Sequence, residues 1–192
     1  MIDIETKKNI TSNWFVYLQN QISEQFEYLE KKISSQKPKK FRRRIWSKKN
    51  KEEGGGTSLL LENGNIFDKV GINISKVSGT FDSPFKNKIL GAEKDGKYWA
   101  SGISIVAHMK NPKIPAIHFN TRYIVTSKEW FGGGIDLTPC LNDKKESIFF
   151  HSKLRNICRN NKKNYKKYKK WCDDYFYLPH RQELRGIGGI FF

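Results

Sequence analysis

The sequence predicts a single domain of the α+β class across residues 1–192. The length is typical of one domain, and the segments below predict both strands and helices. Two segments, 98–110 and 116–125, alternate apolar and polar residues as half-buried strands do. Aromatic residues make up 14% of the chain, which is enough to bury a sizeable core. Three further segments carry apolar residues at helical spacing: 12–34, 143–160 and 164–178.

The helices are predicted from apolar residues that recur three and four positions apart. Thr11 or Ser12 could cap the start of the first helix, and Pro179 ends the last one. The inward-facing residues are expected to be Phe15, Leu18, Ile22, Phe26, Leu29 and Ile33 in the first helix; Ile148, Phe149, Leu154, Ile157 and Cys158 in the second; and Tyr165, Tyr168, Trp171, Cys172 and Tyr175 in the third.

The charge of the chain indicates an acidic partner or a heavily solvated surface. The net charge is +17, from 36 basic and 19 acidic residues, which suits nucleic acid, an anionic membrane surface or a multiply anionic small molecule. The basic segment 36–53 is the best candidate for nucleic acid, yet it offers only Phe41 and Trp46 for stacking. We interpret it as a solvated connector that could contribute arginines to an anion-binding pocket.

Cellular location is predicted from cysteines and hydropathy. The three cysteines are odd in number and lack CxxC spacing, which favours free thiols in a reducing compartment. Residues 1–9 are polar and contain no apolar stretch of a secretory signal. No run approaches the roughly 20 apolar residues of a spanning helix. We therefore expect a soluble cytoplasmic protein with no integral membrane association.

Three consecutive glycines, Gly54 to Gly56, precede an apolar run. A glycine-rich turn can cradle a phosphate, but neither the GxxxxGK[ST] nor the GxGxxG pattern is present. The alternative is a tight turn or a close backbone approach that excludes a Cβ atom.

The two alternating strands predict a hairpin with chemically different faces, since strand side chains alternate with a period of two. The connecting turn contains Pro112 and Pro115, which cannot donate to a strand ladder. The polar face is either a solvated outer face or a functional one, and it carries no Lys or Glu before Lys110. The apolar face would hold Ile103, Ile105, Ala107, Ile117, Phe119, Thr121 and Tyr123, and the polar face Ser104, His108, His118, Asn120 and Arg122.

Two residues outside the hairpin are candidates for a site. Asp136 follows three glycines among apolar neighbours, so it is either a buried structural carboxylate or one aimed at a ligand. His151 lies near the apolar side of a predicted helix, where a satisfied core histidine is more common than a ligand. The last residues, 186–192, form an apolar, glycine-rich strand, and we expect the chain to be truncated relative to a longer protein.

Five blocks together resemble the oxygen-dependent coproporphyrinogen III oxidases, of the alphaproteobacterial type. The resemblance follows the family in order and covers nearly everything after about residue 12. Its most specific parts are HFNTRY and the spaced WFGGGIDLTP. The blocks are GGGTSLLLENGNIFDKVGINIS at 54–75, ASGISIVAHMKNPKIPAIHFNTRYI at 100–124, WFGGGIDLTP at 130–139, YKKWCDDYFYLPHR at 168–181 and RGIGGIFF at 185–192.

The resemblance implies a fold and a reaction. The fold would be an antiparallel sheet flanked by helices on both faces, in a homodimer. The enzyme would convert two propionates of coproporphyrinogen III to vinyl groups in haem biosynthesis, with molecular oxygen as co-substrate and no organic cofactor. It would release protoporphyrinogen IX, carbon dioxide and hydrogen peroxide, and would bind no nucleic acid. Two alternatives are an inactive fragment of such an oxidase and a basic nucleic-acid-binding protein that uses 36–53 and 155–170.

The resemblance also implies residue roles. His118 would be the proton donor, and Asp136 would hold the pyrrole N–H groups. Some bacterial members are assigned four histidines as ligands of a divalent metal, whereas others are described as metal-free. The four histidines could equally serve separate roles, since no HExxH or Cys/His spacing is present. The substrate-binding residues would be Ser104, Asn120, Thr121, Arg122 and Arg181, and the metal ligands His108, His118, His151 and His180.

Overall fold

A computed structural model describes residues 2–33, 37–141 and 143–192. It contains a seven-stranded antiparallel sheet and three α-helices, which confirms the α+β prediction. None of the described helices is long and apolar enough to cross a membrane. The elements are α1 (Ile4–Ile33), β1 (Arg42–Ser47), β2 (Gly54–Glu62), β3 (Phe67–Thr80), β4 (Lys97–Met109), β5 (Ala116–Val125), β6 (Glu129–Thr138), α2 (Lys144–Asn160), α3 (Tyr165–Phe176), the short hairpin β7 (Tyr177–Leu178) and β8 (Glu183–Leu184), and β9 (Gly188–Phe191).

The sheet is a meander in which each strand from β1 to β6 pairs antiparallel with the next. After the two later helices, β9 returns and pairs with β6 at the edge of the sheet. The predicted hairpin forms between β4 and β5, with Ser104 opposite Asn120 and Val106 opposite His118. Because both members of a directly opposed pair point to the same face, this register fixes one polar and one apolar face.

The apolar face of the sheet forms the core under α1. Phe15 of α1 is almost fully buried against it. Gln19 docks the helix by donating from Nε2 to the carbonyl oxygens of Thr57 at 3.0 Å and Ile72 at 2.8 Å. The core residues contributed by β2, β3 and β4 are Leu59, Leu61, Phe67, Val70, Ile72, Ile74, Ile103, Ile105 and Ala107.

The first helix begins eight residues earlier than predicted, so the proposed caps at Thr11 and Ser12 are wrong. The Asp3 carboxylate accepts a hydrogen bond from the Thr6 amide at 2.9 Å, as an N-terminal cap does. The Ser12 hydroxyl instead donates to the Lys8 carbonyl inside the helix. The apolar periodicity did not predict this start, because the first turns of α1 do not pack on the core. The predicted end at residue 34 lies outside the described residues.

The basic segment predicted as a solvated connector contains a strand, β1, at the edge of the sheet. The three glycines of β2 explain why a strand fits there. A Cβ at Gly55 would lie 2.2 Å from the Trp46 carbonyl oxygen, and one at Gly56 would lie 2.9 Å from the Trp46 ring. The glycines therefore serve the close approach of β1. Residues 42–47 are exposed, as predicted, but they form a strand and not a connector.

The second and third helices pack around β9. Leu154, Cys158 and Ile190 form a small buried cluster there. Because α2 meets this cluster along a narrow stripe, the other apolar residues predicted to face inward, Ile148, Phe149 and Ile157, are exposed. From α3, only Cys172 is fully buried.

The carboxylate of Glu30, at the end of α1, holds the turn between β2 and β3. Glu30 is fully buried and accepts hydrogen bonds from three backbone amides, those of Asn65, Ile66 and Phe67, at 2.5, 2.8 and 2.9 Å. Since the three N–H groups have converged on one charged acceptor, the helix and the turn depend on each other.

Replacing Glu30 with Ala should destabilise the fold by about 2–4 kcal/mol, because buried N–H groups would lose a charged acceptor. Urea unfolding followed by circular dichroism measures this change. Glu24→Ala, at an exposed position of the same helix, is the matched control and should change stability by less than about 0.5 kcal/mol. Equal stability of the two variants would contradict the structural role of Glu30.

Candidate active site

The polar face of the sheet gathers the chemically active side chains of neighbouring strands. Asn73, Ser104 and Asn120 lie in one row across β3, β4 and β5, because they are successive register partners. In the next row, His118 lies directly opposite Asp136 of β6. The short spacing between antiparallel strands thus brings residues far apart in sequence side by side.

At the β9 end of this face lies a cleft of about 530 Å³. Its floor is formed by β5 and β6, and its wall by α3 and β9. The floor carries most of the polar side chains, and the wall carries most of the aromatic rings. The lining residues of the floor are His118, Asn120, Arg122, Trp130, Phe131, Gly132, Gly133 and Asp136, and those of the wall are Trp171, Tyr175, Phe176, Arg185, Phe191 and Phe192.

Asp136 is the most buried charged residue of the cleft, with 2% of its surface exposed. Arg185 donates from Nη2 to Asp136 Oδ2 at 3.1 Å. His118 Nδ1 lies 3.2 Å from the same oxygen, although the angle is not that of a hydrogen bond. Two cationic or potentially cationic groups therefore face one carboxylate oxygen, which compensates the cost of burying its charge.

Arg185 is held from a second side by an aromatic ring. Its guanidinium carbon lies 3.6 Å from the centroid of Phe176, a cation–π contact. Its backbone N–H donates to the Phe176 carbonyl at 3.0 Å, which closes the base of the β7–β8 hairpin. The buried Nε atom of Arg185 has no hydrogen-bond partner among the described residues, so it remains an available donor beside the cleft.

Glycines allow the strands around Asp136 to approach closely. A Cβ at Gly189, the register partner of Asp136, would lie 1.7 Å from the Ile135 carbonyl oxygen. A Cβ at Gly134 would lie 2.3 Å from the Phe191 ring. Side chains at these two positions would push β9 and its aromatic rings away from the carboxylate.

Behind the carboxylate lies a protonated thiol. Cys172 is fully buried, and burial, with a smaller contribution from the nearby charge of Asp136, raises the pKa of Cys172 to about 12. The thiol therefore stays neutral and adds no charge to the site at physiological pH.

At the open side of the cleft, Arg122 donates from Nη2 to Asn120 Oδ1 at 2.9 Å. Arg122 is exposed, and its remaining N–H groups have no partner among the described residues, so they can bind a ligand. The stacked rings of Tyr123 and Phe131, 4.8 Å apart, lie at the next strand positions, where Tyr123 is buried on the apolar face. The cleft thus offers an aromatic wall, a guanidinium at the rim and a carboxylate at depth.

Comparison with known proteins identifies the family of this chain. A family model described as coproporphyrinogen III oxidase matches residues 10–192. The chain belongs to this family. It is 50% identical over 195 residues to a protein of Rickettsia africae named oxygen-dependent coproporphyrinogen-III oxidase, covering 100% of this chain and 68% of that relative. Relatives of the same name from Rickettsia akari and Rickettsia bellii are 50% and 49% identical, covering 96% and 97% of this chain and 67% and 68% of theirs.

The structure places the five predicted substrate-binding residues in three different surroundings. Asn120 and Arg122 line the cleft, and Ser104 lies on the same face one strand away. Thr121 lies on the opposite, apolar face, where it is the register partner of Ile103, so its hydroxyl does not join the cleft. Arg181 lies in the exposed turn of the β7–β8 hairpin, 2.7 Å from Glu183, and does not line the cleft.

Sequence reasoning missed Arg185, the hydrogen-bond donor to Asp136. The residue stands at the start of the RGIGGIFF block, but no periodicity in that block indicates where its side chain points. The return of β9 beside β6 decides this position, and β9 is a short strand whose partner lies about 50 residues earlier. The family block was the only available signal.

The four histidines are not brought together. The rings of His108 and His118 are neighbours, with centroids 6.2 Å apart. Both ring nitrogens of His151 are already engaged, Nε2 with the Ile187 carbonyl and Nδ1 with the Tyr165 hydroxyl, each at 2.8 Å. His180 lies in the exposed hairpin turn. In the parts of the chain that are described, no three His, Cys, Asp or Glu residues are grouped as metal ligands, so one metal held by all four does not fit.

His151 should make folding sensitive to acid. Burial lowers the pKa of His151 from 6.5, and the hydrogen bond to the Ile187 carbonyl partly offsets this shift. The charges of Lys169 and Arg155 lower the pKa further, whereas that of Asp173 raises it. Since the folded protein binds this proton less tightly than the unfolded chain, stability is complete above pH 6.5 and falls as the pH drops below that value.

Urea unfolding between pH 7.5 and 5 tests this prediction. His151→Gln should show a shallower loss of stability with acid than the unchanged protein. His180→Gln, at an exposed position, should keep the steeper dependence. If all three proteins lost stability in parallel, His151 would not be the acid-sensitive group.

Proposed function

We propose that this chain catalyses the oxygen-dependent oxidative decarboxylation of coproporphyrinogen III. Each reacting propionate, –CH₂CH₂CO₂H, becomes a vinyl group, –CH=CH₂, and carbon dioxide. The two electrons and two protons removed pass to one O₂, which becomes hydrogen peroxide. Two such steps yield protoporphyrinogen IX. Family membership supports the reaction, and the observation that carries the site assignment is the buried Asp136 between Arg185 and His118 in an aromatic cleft.

The chemistry of the substrate suits the cleft. The macrocycle of a porphyrinogen is puckered, because saturated methylene bridges join its four pyrroles, and the apolar faces of single pyrrole rings can contact Trp171, Tyr175 and Phe191. Its carboxylates suit a guanidinium at the rim, and Arg122 has the fork that binds a carboxylate through two parallel hydrogen bonds. The net charge of +17 would increase the rate at which such an anion reaches the protein.

Asp136 would accept hydrogen bonds from the pyrrole N–H groups at the centre of the macrocycle. Its negative charge would stabilise the positive charge that develops on a pyrrole ring as electrons leave for oxygen. Arg185 holds Oδ2, and no described residue donates a hydrogen bond to Oδ1. One oxygen is thus fixed by the protein, and the other can face the substrate.

His118 would carry the proton that leaves the propionate side chain. Imidazole is a common proton carrier in enzymes, and the ring stands beside Asp136 on the cleft floor. The substrate itself supplies the reducing electrons. The contribution of the protein is therefore orientation of the macrocycle and electrostatic stabilisation, and we propose that no organic cofactor takes part.

We further propose that the enzyme works as a homodimer in the cytoplasm. The three cysteines, Cys140, Cys158 and Cys172, are free thiols, which suits a reducing compartment. The homodimer is the state implied by the family resemblance, and size-exclusion chromatography with light scattering tests it directly.

Asp136→Asn should lower kcat by about 10²–10³, because an uncharged amide cannot stabilise the developing positive charge. The assay is anaerobic incubation with coproporphyrinogen III, followed by admission of air and chromatographic detection of vinyl products. Asp174→Asn, at an exposed position paired with Lys170, is the control and should retain activity. Full activity of Asp136→Asn would rule out the proposed role of this carboxylate.

Arg122→Lys should raise KM for coproporphyrinogen III about tenfold, because lysine keeps the charge but loses the two-point fork. Arg159→Lys, in α2, is the matched control, because the Arg159 side chain likewise donates from Nη2 to an asparagine Oδ1, that of Asn156. Steady-state kinetics at constant ionic strength separates KM from kcat. An unchanged KM would place the substrate carboxylates elsewhere.

A further inference from the structure

Helix α2 carries three large apolar side chains on the side that the protein leaves in water. Ile148, Phe149 and Ile157 are 65%, 60% and 55% exposed. The side of the helix that packs on the protein is formed instead by residues such as Leu154 and Cys158. The packing of α2 therefore does not account for its three exposed apolar residues.

Basic residues lie among these apolar side chains on the same face of the helix. Residues three and four apart share a helix face, so Lys145 and Lys153 belong to one exposed stripe with the three apolar residues. The Lys153 Nζ atom lies 5.0 Å from the centroid of the Phe149 ring. The acidic residue of α2, Glu146, lies in its first turn. An exposed stripe of basic and apolar residues is typical of a helix that lies on an anionic lipid surface.

The positive charge continues through the turn after α2 and into α3. Between residues 147 and 172 the sequence contains nine lysines and arginines and no acidic residue. Two of the nine, Lys169 and Lys170, form salt bridges with Asp173 and Asp174. The remaining seven are exposed and form no salt bridge with any residue that the structure describes. These seven are Lys153, Arg155, Arg159, Lys162, Lys163, Lys166 and Lys167.

Lys166 and Lys167 occupy positions that are unfavourable for the helix to which they belong. Both lie in the first turn of α3, which contains no acidic residue. The unpaired backbone N–H groups give this end of a helix a partial positive charge, so cations there reduce its stability. Helix stability therefore does not explain the two lysines, whereas an anionic partner does, because it would meet a concentrated positive potential there.

We propose that residues 145–167, the α2–α3 surface, bind the headgroup region of an anionic lipid bilayer. Lipid phosphate groups would contact the seven unpaired cations. Phe149 and the apolar residues beside it would enter the boundary between the headgroups and the acyl chains. Binding of this kind is peripheral and reversible, because it depends on one short amphipathic helix and on charge.

Two other partners fit the α2–α3 surface less well. A second copy of the chain would bring two positive surfaces together, and they would repel each other. A nucleic acid would neutralise the cations, but its phosphate backbone would leave Ile148 and Ile157 in water. A lipid bilayer matches both the charge and the apolar groups. Residues 145–167 do not line the cleft, so lipid binding is independent of the proposed reaction.

Co-sedimentation of the protein with vesicles measures this binding. The unchanged protein should bind vesicles of phosphatidylglycerol and phosphatidylcholine in equal parts at least about tenfold more tightly than vesicles of phosphatidylcholine alone. Replacing Lys162, Lys163 and Lys166 together with Gln should weaken binding to the mixed vesicles by about tenfold or more, because each cation near an anionic surface contributes to binding.

The matched control for the lysines is a triple variant in and around β1. Lys39→Gln, Arg43→Gln and Lys49→Gln together remove the same charge from exposed positions elsewhere on the molecule. This variant should weaken binding to the mixed vesicles by no more than about twofold, since charges far from the bilayer are screened by salt.

Phe149→Ser tests the apolar contribution. It should weaken binding to the mixed vesicles about five- to tenfold, as expected when a partly inserted ring is lost. Ile45→Ser is the matched control, because Ile45 is a 78% exposed apolar residue of β1, and it should leave binding unchanged. Circular dichroism checks that each variant is folded.

Weaker binding by the triple lysine variant and by Phe149→Ser, with both controls normal, would support the proposal. Failure of the unchanged protein to bind the mixed vesicles would overturn it. Equal weakening by the two triple variants would show a general attraction by the net charge and would also overturn it. Normal vesicle binding by Phe149→Ser would leave only a surface for polyanions, such as a nucleic acid, and would contradict insertion into a bilayer.

Discussion

The site depends on keeping one carboxylate ionised and buried. An isolated charge in the position of Asp136 would be costly, because the surrounding strands and rings exclude most of the water. Arg185 compensates that charge, and Phe176 fixes Arg185 in turn. The glycines at 134 and 189 allow β9 to approach closely enough for this arrangement. The contact between Arg185 and Asp136 needs β9 to pair with β6. The packing of α3 and the aromatic wall belong to the same arrangement.

A second constraint is the division of the sheet into two faces. The long helix α1 covers one face with apolar contacts and leaves the other face free for polar groups. The anchors of α1, the Gln19 amide and the Glu30 carboxylate, stay on the covered side and bind backbone atoms. Among the described residues, no core-forming element covers the polar face between β1 and β6, so a large ligand can lie across several strands.

Sequence reasoning succeeded where periodicity and pairing are local. The β4–β5 hairpin and its two faces follow from alternation and a short turn, so His118, Asn120 and Arg122 were placed together correctly. It failed where position depends on distant pairing. Strand β1 was missed because its residues are charged and exposed, and only the glycines opposite Trp46 allow it to form. Arg185 was missed because the register of β9 against β6 carries no sequence signal.

A structure of the anaerobic complex with coproporphyrinogen III tests the central claim most directly. We expect the macrocycle on the polar face of the sheet, with pyrrole nitrogens within about 3.2 Å of a carboxylate oxygen of Asp136 and Arg185 still bound to the other oxygen. A macrocycle bound elsewhere, or one whose nitrogens face away from Asp136, would contradict the account.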